Sequence, residues 1–142
     1  MKKQGCYFYL EKERNNDLLR AFNLLYAQSS RTIDTSFYSE LANQPSKRFW
    51  VSEERASIII SKMLSGNTLS NMIENKRQMF HDIYSIYQNL KREYPHLSHI
   101  ELVCMSVNHQ APRFYLTPNT VKELIYRIKR KWYENNPHRY KK

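Results

Sequence analysis

The segment Arg48-Phe49-Trp50-Val51-Ser52 recurs 65 residues further along the chain as Arg113-Phe114-Tyr115-Leu116-Thr117. Each copy runs arginine, phenylalanine, aromatic, aliphatic, hydroxyl. The apolar residues that follow keep the same helical phase, since Ala56, Ile59, Ile60 and Met63 correspond to Val121, Leu124, Ile125 and Ile128. Because a helix cap and a helical phase agree independently at one offset, the pattern predicts an internal duplication.

The overall identity between the two copies is low. An ungapped alignment of residues 11–66 with 76–131 has six identities in 56 positions, where chance gives about three. The clustering of the matches therefore carries the prediction, and the identity count decides nothing. The alternative interpretation is a coincidence between two amphipathic helices, each preceded by an aromatic residue.

Composition and periodicity predict an all-α fold made of two tandem three-helix units. Two glycines and five prolines among 142 residues are too few for the many tight turns of a β-sandwich or barrel. Apolar spacing predicts a first helix over 11–29, a short second helix capped near Asp34, and a third from the cap Ser52 to about Leu64, with Gly66 as its terminator.

The second half follows the same plan. An apolar stripe from Phe80 ends at Pro95, Ser98 is a candidate cap for a short helix, and Thr117-Pro118 begins the last helix. We therefore predict a first unit at 1–66, a linker at 67–75, a second unit at 76–134 and a basic tail at 135–142. Each unit resembles the helix-turn-helix class of DNA-binding domain in its architecture. The predicted gap before its third helix exceeds the usual turn of about three or four residues.

The charge is strongly basic and unevenly distributed. The formal net charge is +10, and residues 76–131 carry ten basic and four acidic side chains against eight and seven in residues 11–66. Such asymmetry favours a polyanionic partner. A regulatory or mobile-element role is a hypothesis that depends only on small size and basic charge.

The last helix is the first candidate binding site. Opposite its apolar stripe it carries polar and basic side chains that can contact phosphates and base edges, together with a tyrosine that can pack on a sugar or base: Asn119, Lys122, Tyr126, Arg127, Lys129, Arg130 and Lys131. An ordinary solvated basic face is the alternative. The corresponding helix of the first unit is nearly neutral, which favours a dimerisation or scaffold role and leaves a homodimer open.

The two recurring segments are the second candidate. In an extended strand, Phe49 and Val51 would point to one side and Arg48 and Trp50 to the other, and the second copy would place Arg113 and Tyr115 outward in the same way. The outward pair is able to stack on a nucleotide or hold a phosphate. A structural role for the arginine and the aromatic residue is the favoured alternative, because both copies share them while their charges differ.

Signals for catalysis or metal binding are weak. His96 and His99 lack a third ligand in sequence, the carboxylates form no recognisable pair, and no glycine-rich phosphate loop is present. No cofactor, metal site or enzymatic activity is expected. The two cysteines, Cys6 and Cys104, form no disulfide framework, and no apolar run approaches the ~20 residues of a membrane span. We expect a cytoplasmic protein.

These observations predict a small nucleic-acid-binding protein that prefers duplex DNA over RNA and uses the last helix of the second unit. The main alternative is a protein-interaction or structural adaptor that uses surface aromatic and arginine residues. A further alternative is binding of single strands or RNA by Trp50 and Tyr115, the aromatic residues of the recurring segments.

Overall fold

The structure is a computed structural model that describes residues 2–29 and 31–136, with side chains from Tyr9 onward. It contains six helices: α1 (Lys2–Ser29), α2 (Thr35–Ala42), α3 (Glu53–Leu64), α4 (Glu74–Glu93), α5 (His99–Val107) and α6 (Pro118–Asn135). The described residues form no β-strand. The predicted all-α class is confirmed. Apart from Asn135 and Asn136, the predicted basic tail lies outside the described residues.

Side-chain caps set the starts of four helices. The side chains of Asp34, Ser52 and Thr117 each accept a hydrogen bond from a backbone N–H of the first turn, and Ser98 forms a reciprocal capping box with Glu101. These are the caps expected from the sequence. The start of α1 differs from the prediction, because the helix begins at Lys2 instead of about residue 11. The residues before 11 have no amphipathic period, so the apolar spacing could not reveal their helix.

The buried side chains form two separate hydrophobic cores. The α1–α2–α6 core also receives Phe114, while the α3–α4–α5 core also receives Phe49, Val51, Leu69 and Tyr115. Each core therefore contains three helices, as expected for a three-helix unit.

The cores do not follow the order of the chain. Helix α3 packs on α4 and α5, while α6 packs on α2 and α1. The third helix of each half thus completes the core of the other half. Within the described residues, α2 and α3 do not contact each other, so this helix pair lacks the packing of a strict helix-turn-helix.

The exchange takes place where two loops cross. The first connector (residues 43–52) joins α2 to α3, and the second connector (residues 108–117) joins α5 to α6. At the crossing Ser46 and Ala111 exchange two backbone hydrogen bonds of 3.0 Å each. Beyond it, Phe49 N–H donates to the carbonyl of Val107 in one connector, and Phe114 N–H donates to that of Ala42 in the other.

These crossing contacts recur with the sequence offset of 65 residues. Ser46 corresponds to Ala111, Phe49 to Phe114 and Ala42 to Val107, so each bond in one half has its counterpart in the other. The crossing therefore has approximate two-fold symmetry.

The predicted linker at 67–75 is part of the folded structure. Leu69 is 5% exposed and belongs to the α3–α4–α5 core, and α4 already begins at Glu74. Gly66 ends α3 with φ +98°, in the left-handed region that favours glycine, as predicted. The boundaries 1–66 and 76–134 remain a prediction about the sequence, since the cores draw helices from both ranges.

Candidate nucleic-acid interface

Helix α6 is attached to the protein along one face only. Its buried residues are Val121, Leu124 and Ile125, which pack against α2 and α1. Thr117 caps its start with a 3.1 Å hydrogen bond from Thr120 N–H, and Pro118 occupies the first turn, where a missing N–H costs nothing. The remaining circumference of a helix about 27 Å long is therefore available to a partner.

The exposed residues of α6 form two stripes of different charge. The outer stripe follows spacings of three and four residues and contains no acid: Asn119, Lys122, Tyr126, Arg130 and Tyr133. The flanking stripe alternates in sign and is formally neutral: Glu123, Arg127, Lys131 and Glu134. The structure therefore brings together Asn119, Lys122, Tyr126 and Arg130, and places Arg127 and Lys131 on another side of the helix.

Lys129 differs from the other cations of α6. Its Nζ lies 4.2 Å from the centroid of the Phe22 ring on α1, and the residue is half-buried. A cation over an aromatic face stabilises the helix contact. Lys129 therefore contributes to packing between α6 and α1. Lys122 lies 5.8 Å from the Tyr126 ring and stays exposed.

Aromatic side chains extend the outer surface towards the end of α6. Tyr126 is 56% exposed, Trp132 41% and Tyr133 46%, and the last two rings meet edge to face at 5.7 Å. The sequence placed Trp132 on the apolar stripe, but the core ends before it. Tyr133 was not predicted, although its spacing of seven residues from Tyr126 signals a shared face.

Arg48 and Arg113 have guanidinium groups engaged within the chain. Arg48 donates to the carbonyls of Phe49 (3.0 Å) and Val51 (2.8 Å) and lies 5.3 Å from the Trp50 ring. Arg113 donates to Asn75 Oδ1 at 2.9 Å and lies 5.1 Å from the Tyr115 ring. Burial is the main cause that lowers the pKa of Arg48 from its ordinary value. Both arginines stabilise connectors, away from the outer stripe of α6.

The prediction that Tyr115 points outward is wrong. Its side chain is 6% exposed, and its hydroxyl donates a short hydrogen bond to Asp82 on α4. Burial first, and then this hydrogen bond, raise the pKa of Tyr115. A φ of +60° at Tyr115 breaks the alternation of an extended strand, so the ring turns towards the core. Trp50 is half-buried, and its Nε1 donates to Asp17 at 3.3 Å.

His99 joins three helices and shows no catalytic arrangement. Its Nδ1 lies 2.9 Å from the Tyr87 hydroxyl, while its Nε2 lies 3.1 Å from Ser61 Oγ and 3.2 Å from the Ser57 carbonyl. A carbonyl only accepts, so we assign the proton to Nε2. With that proton in place, His99 cannot accept one from Ser61.

Metal-binding and membrane-spanning features were searched across the described part of the chain. No cluster of three or more histidine, cysteine or carboxylate side chains suited to a metal occurs there. Within the same residues, no helix combines the length and apolar character needed to cross a bilayer.

Comparison with known proteins adds no assignment. No protein-family profile matches the chain, and neither a curated protein nor a solved structure matches it significantly. The function must therefore be argued from the geometry of this chain.

Proposed function

We propose that the protein binds nucleic acid, with duplex DNA preferred over RNA, through the outer stripe of α6. The observation that carries the proposal is the grouping of Lys122, Arg130 and Asn119 with two tyrosines on the free side of a helix, with no acid among them. An α-helix fits the major groove, where lysine and arginine neutralise phosphates and asparagine can read adenine.

A matched pair of variants on the same helix tests the proposal. The stripe variant changes Lys122 and Arg130 to Gln, and the flank variant changes Arg127 and Lys131 to Gln. Both remove two positive charges, so a purely nonspecific attraction would respond equally. We expect the stripe variant to bind duplex DNA at least roughly tenfold more weakly and to lower the salt slope by about two.

Fluorescence anisotropy over a salt series provides the measurement, with labelled duplex DNA, single-stranded DNA and RNA as ligands. Circular dichroism would show that both variants keep the fold. Equal losses in the two variants, or no loss in either, would overturn the assignment to the outer stripe. A preference for RNA or single strands would contradict the choice of duplex DNA.

We also infer that the two halves arose by duplication of a helix-turn-helix-like unit. The paired connector contacts support this inference, because they recur at the same offset of 65 residues as the sequence match. In this view the two third helices are equivalent elements that diverged in charge. We place the protein in the cytoplasm, where the free thiol of Cys104 would stay reduced.

A protein-interaction adaptor is the second candidate function. It is favoured by a shallow apolar patch on α5, where Ile100 is 49% exposed and Met105 41%, with Leu97 and Cys104 beside them. Under this alternative, Ile100→Ser with Met105→Ser would abolish capture of a protein partner and leave nucleic-acid binding unchanged.

A further inference from the structure

A polar cleft lies between α3, the loop after it and the start of α4. Its volume is about 730 Å³, within the range of about 300–1,000 Å³ typical of small-ligand sites. Three cations line it, Arg55 and Lys62 from α3 and Lys76 from α4, together with Thr68 and Asn71 from the loop. No carboxylate is among the described residues that line the cleft.

The cations of the cleft lack the counter-charges found elsewhere on the same helices. Glu74 lies beside the cleft on α4 but forms its ion pair with Arg77. On α3, Glu53 accepts a hydrogen bond from Asn108 at 3.1 Å, on the side of α5. Helix α3 is nearly neutral in sequence, yet its charges are separated in space. Its two cations converge on the cleft with Lys76.

The loop that forms the floor of the cleft is held in one conformation. After Gly66, Asn67 N–H donates to the Lys62 carbonyl at 3.0 Å, and Asn67 Oδ1 accepts from Leu69 N–H at 2.7 Å. Leu69 anchors the loop in the α3–α4–α5 core despite a φ of +59°, and Met72 N–H donates to its carbonyl. A ligand would therefore meet a cleft that is already formed.

The start of α4 adds to the positive potential of the cleft. Its N-cap residue, Ile73, supplies no side-chain hydrogen bond, so no capping side chain satisfies the N–H groups of the first turn. These groups carry the positive end of the helix dipole. They act here as a supplement to the three side-chain cations.

We propose that this cleft binds the phosphate group of an anionic ligand. A concave surface focuses the field of like charges, and one phosphate with several acceptor oxygens can be shared by donors that arrive from two helices and a loop. The phosphate could belong to a free nucleotide or to a nucleic-acid backbone. The inference is independent of the outer stripe of α6, which lies on another helix.

Binding can be tested on the full chain by NMR, with pyrophosphate, ATP and a short DNA duplex as separate probes. We expect pyrophosphate to shift the backbone amide signals of residues 66–76 saturably. The variant Arg55→Gln/Lys62→Gln/Lys76→Gln should weaken this binding by roughly tenfold or more. All three residues are exposed, so the fold should be retained, and the amide spectrum would verify it.

A control variant removes the same charge elsewhere. Lys12, Lys47 and Lys91 are also exposed, and their joint change to Gln should leave pyrophosphate binding unchanged. ATP binding at these amides without a response to DNA would identify a free phosphorylated ligand. DNA-dependent shifts at the same amides would identify a backbone phosphate. Shifts spread over the whole basic surface, or equal losses in both triple variants, would overturn the proposal.

Because the cleft and α6 are tested by separate variants, the two proposals can fail separately. Loss of DNA binding only on changing Lys122 and Arg130 would support α6 and remove the cleft from the DNA interface. The pyrophosphate titration would then decide the cleft alone.

Discussion

At the scale of single residues, two aromatic–carboxylate contacts fix the connectors. The Asp17 carboxylate is 2% exposed and accepts from Trp50 Nε1, Lys47 N–H and Arg20 Nε. Asp82 accepts from the Tyr115 hydroxyl at the offset position. A buried carboxylate without such donors would be costly. The sequence marked Asp17 and Asp82 as corresponding residues, but only the structure shows which donors they serve.

Changing Tyr115 to Phe tests the second of these contacts. We expect a loss of about 1.5–3 kcal/mol of unfolding free energy, the usual worth of a hydrogen bond to a charged group. The raised pKa of Tyr115 means that the folded state favours the neutral phenol. Its contribution is complete below the ordinary pKa of 10.0 and is lost as the pH rises above that value.

Urea unfolding at about pH 8 and about pH 11 measures both effects. Tyr115→Phe should be less stable at the lower pH and lose less stability on going to the higher one. Some alkaline sensitivity should persist, because burial also raises the pKa of Tyr38 and Tyr87. Tyr126→Phe, at a residue 56% exposed, is the control and should behave like the wild type. A Tyr115 variant as stable as this control would contradict the contact.

At the scale of elements, the sequence predicts helices well and their partners poorly. Caps such as Ser52 and Thr117 and terminators such as Gly66 are local signals, so α3 and α6 begin and end where expected. An apolar stripe says that a face is buried and does not say against which helix. Chain order therefore suggested contiguous units, whereas connectors of ten residues are long enough to carry each third helix across to the other half.

Cavity-forming substitutions in the two third helices test this exchange. Ile60→Ala in α3 and Ile125→Ala in α6 should each cost about 2–5 kcal/mol, since both side chains are at most 1% exposed. Where two cores exist, local opening should increase in the core that is damaged. Ile60→Ala should therefore raise amide exchange in α4 and α5, and Ile125→Ala in α1 and α2.

Native-state hydrogen exchange followed by mass spectrometry resolves these helices. The two variants serve as controls for each other, because they occupy corresponding positions in the two halves. Increased exchange in α1 and α2 for Ile60→Ala would contradict the observed packing. Uniform increases throughout both variants would mean that the cores open only together.

At the scale of the whole molecule, both candidate sites depend on the exchange. Helix α6 lies on α1 and α2, so its outer stripe is supported by the half of the chain that is less basic. The cleft forms because α3 packs beside α4, which brings Arg55 and Lys62 near Lys76. Sequence reasoning found Lys122, Tyr126 and Arg130 because they share one helix. It missed the cleft because its cations are distributed over two elements, and their proximity is a property of tertiary packing.

The exchange also predicts that the two halves stay associated after the chain is cut between them. A protease recognition sequence can be inserted between Ser70 and Asn71, which are both exposed. After cleavage, one fragment retains α1, α2 and α3, and the other retains α4, α5 and α6. Each core would then contain helices from both fragments, so separation would expose the apolar surface of both cores at once.

We expect the cleaved protein to elute from size-exclusion chromatography as a one-to-one complex, with a mass close to the 17.2 kDa of the intact chain. The fragments should separate only in denaturant. The uncleaved insertion variant controls for effects of the added residues, and its circular dichroism should match that of the wild type. Fragments that separate under native conditions while keeping their helicity would mean that each half contains its own complete core, because only contiguous units remain folded when the covalent link is the sole connection.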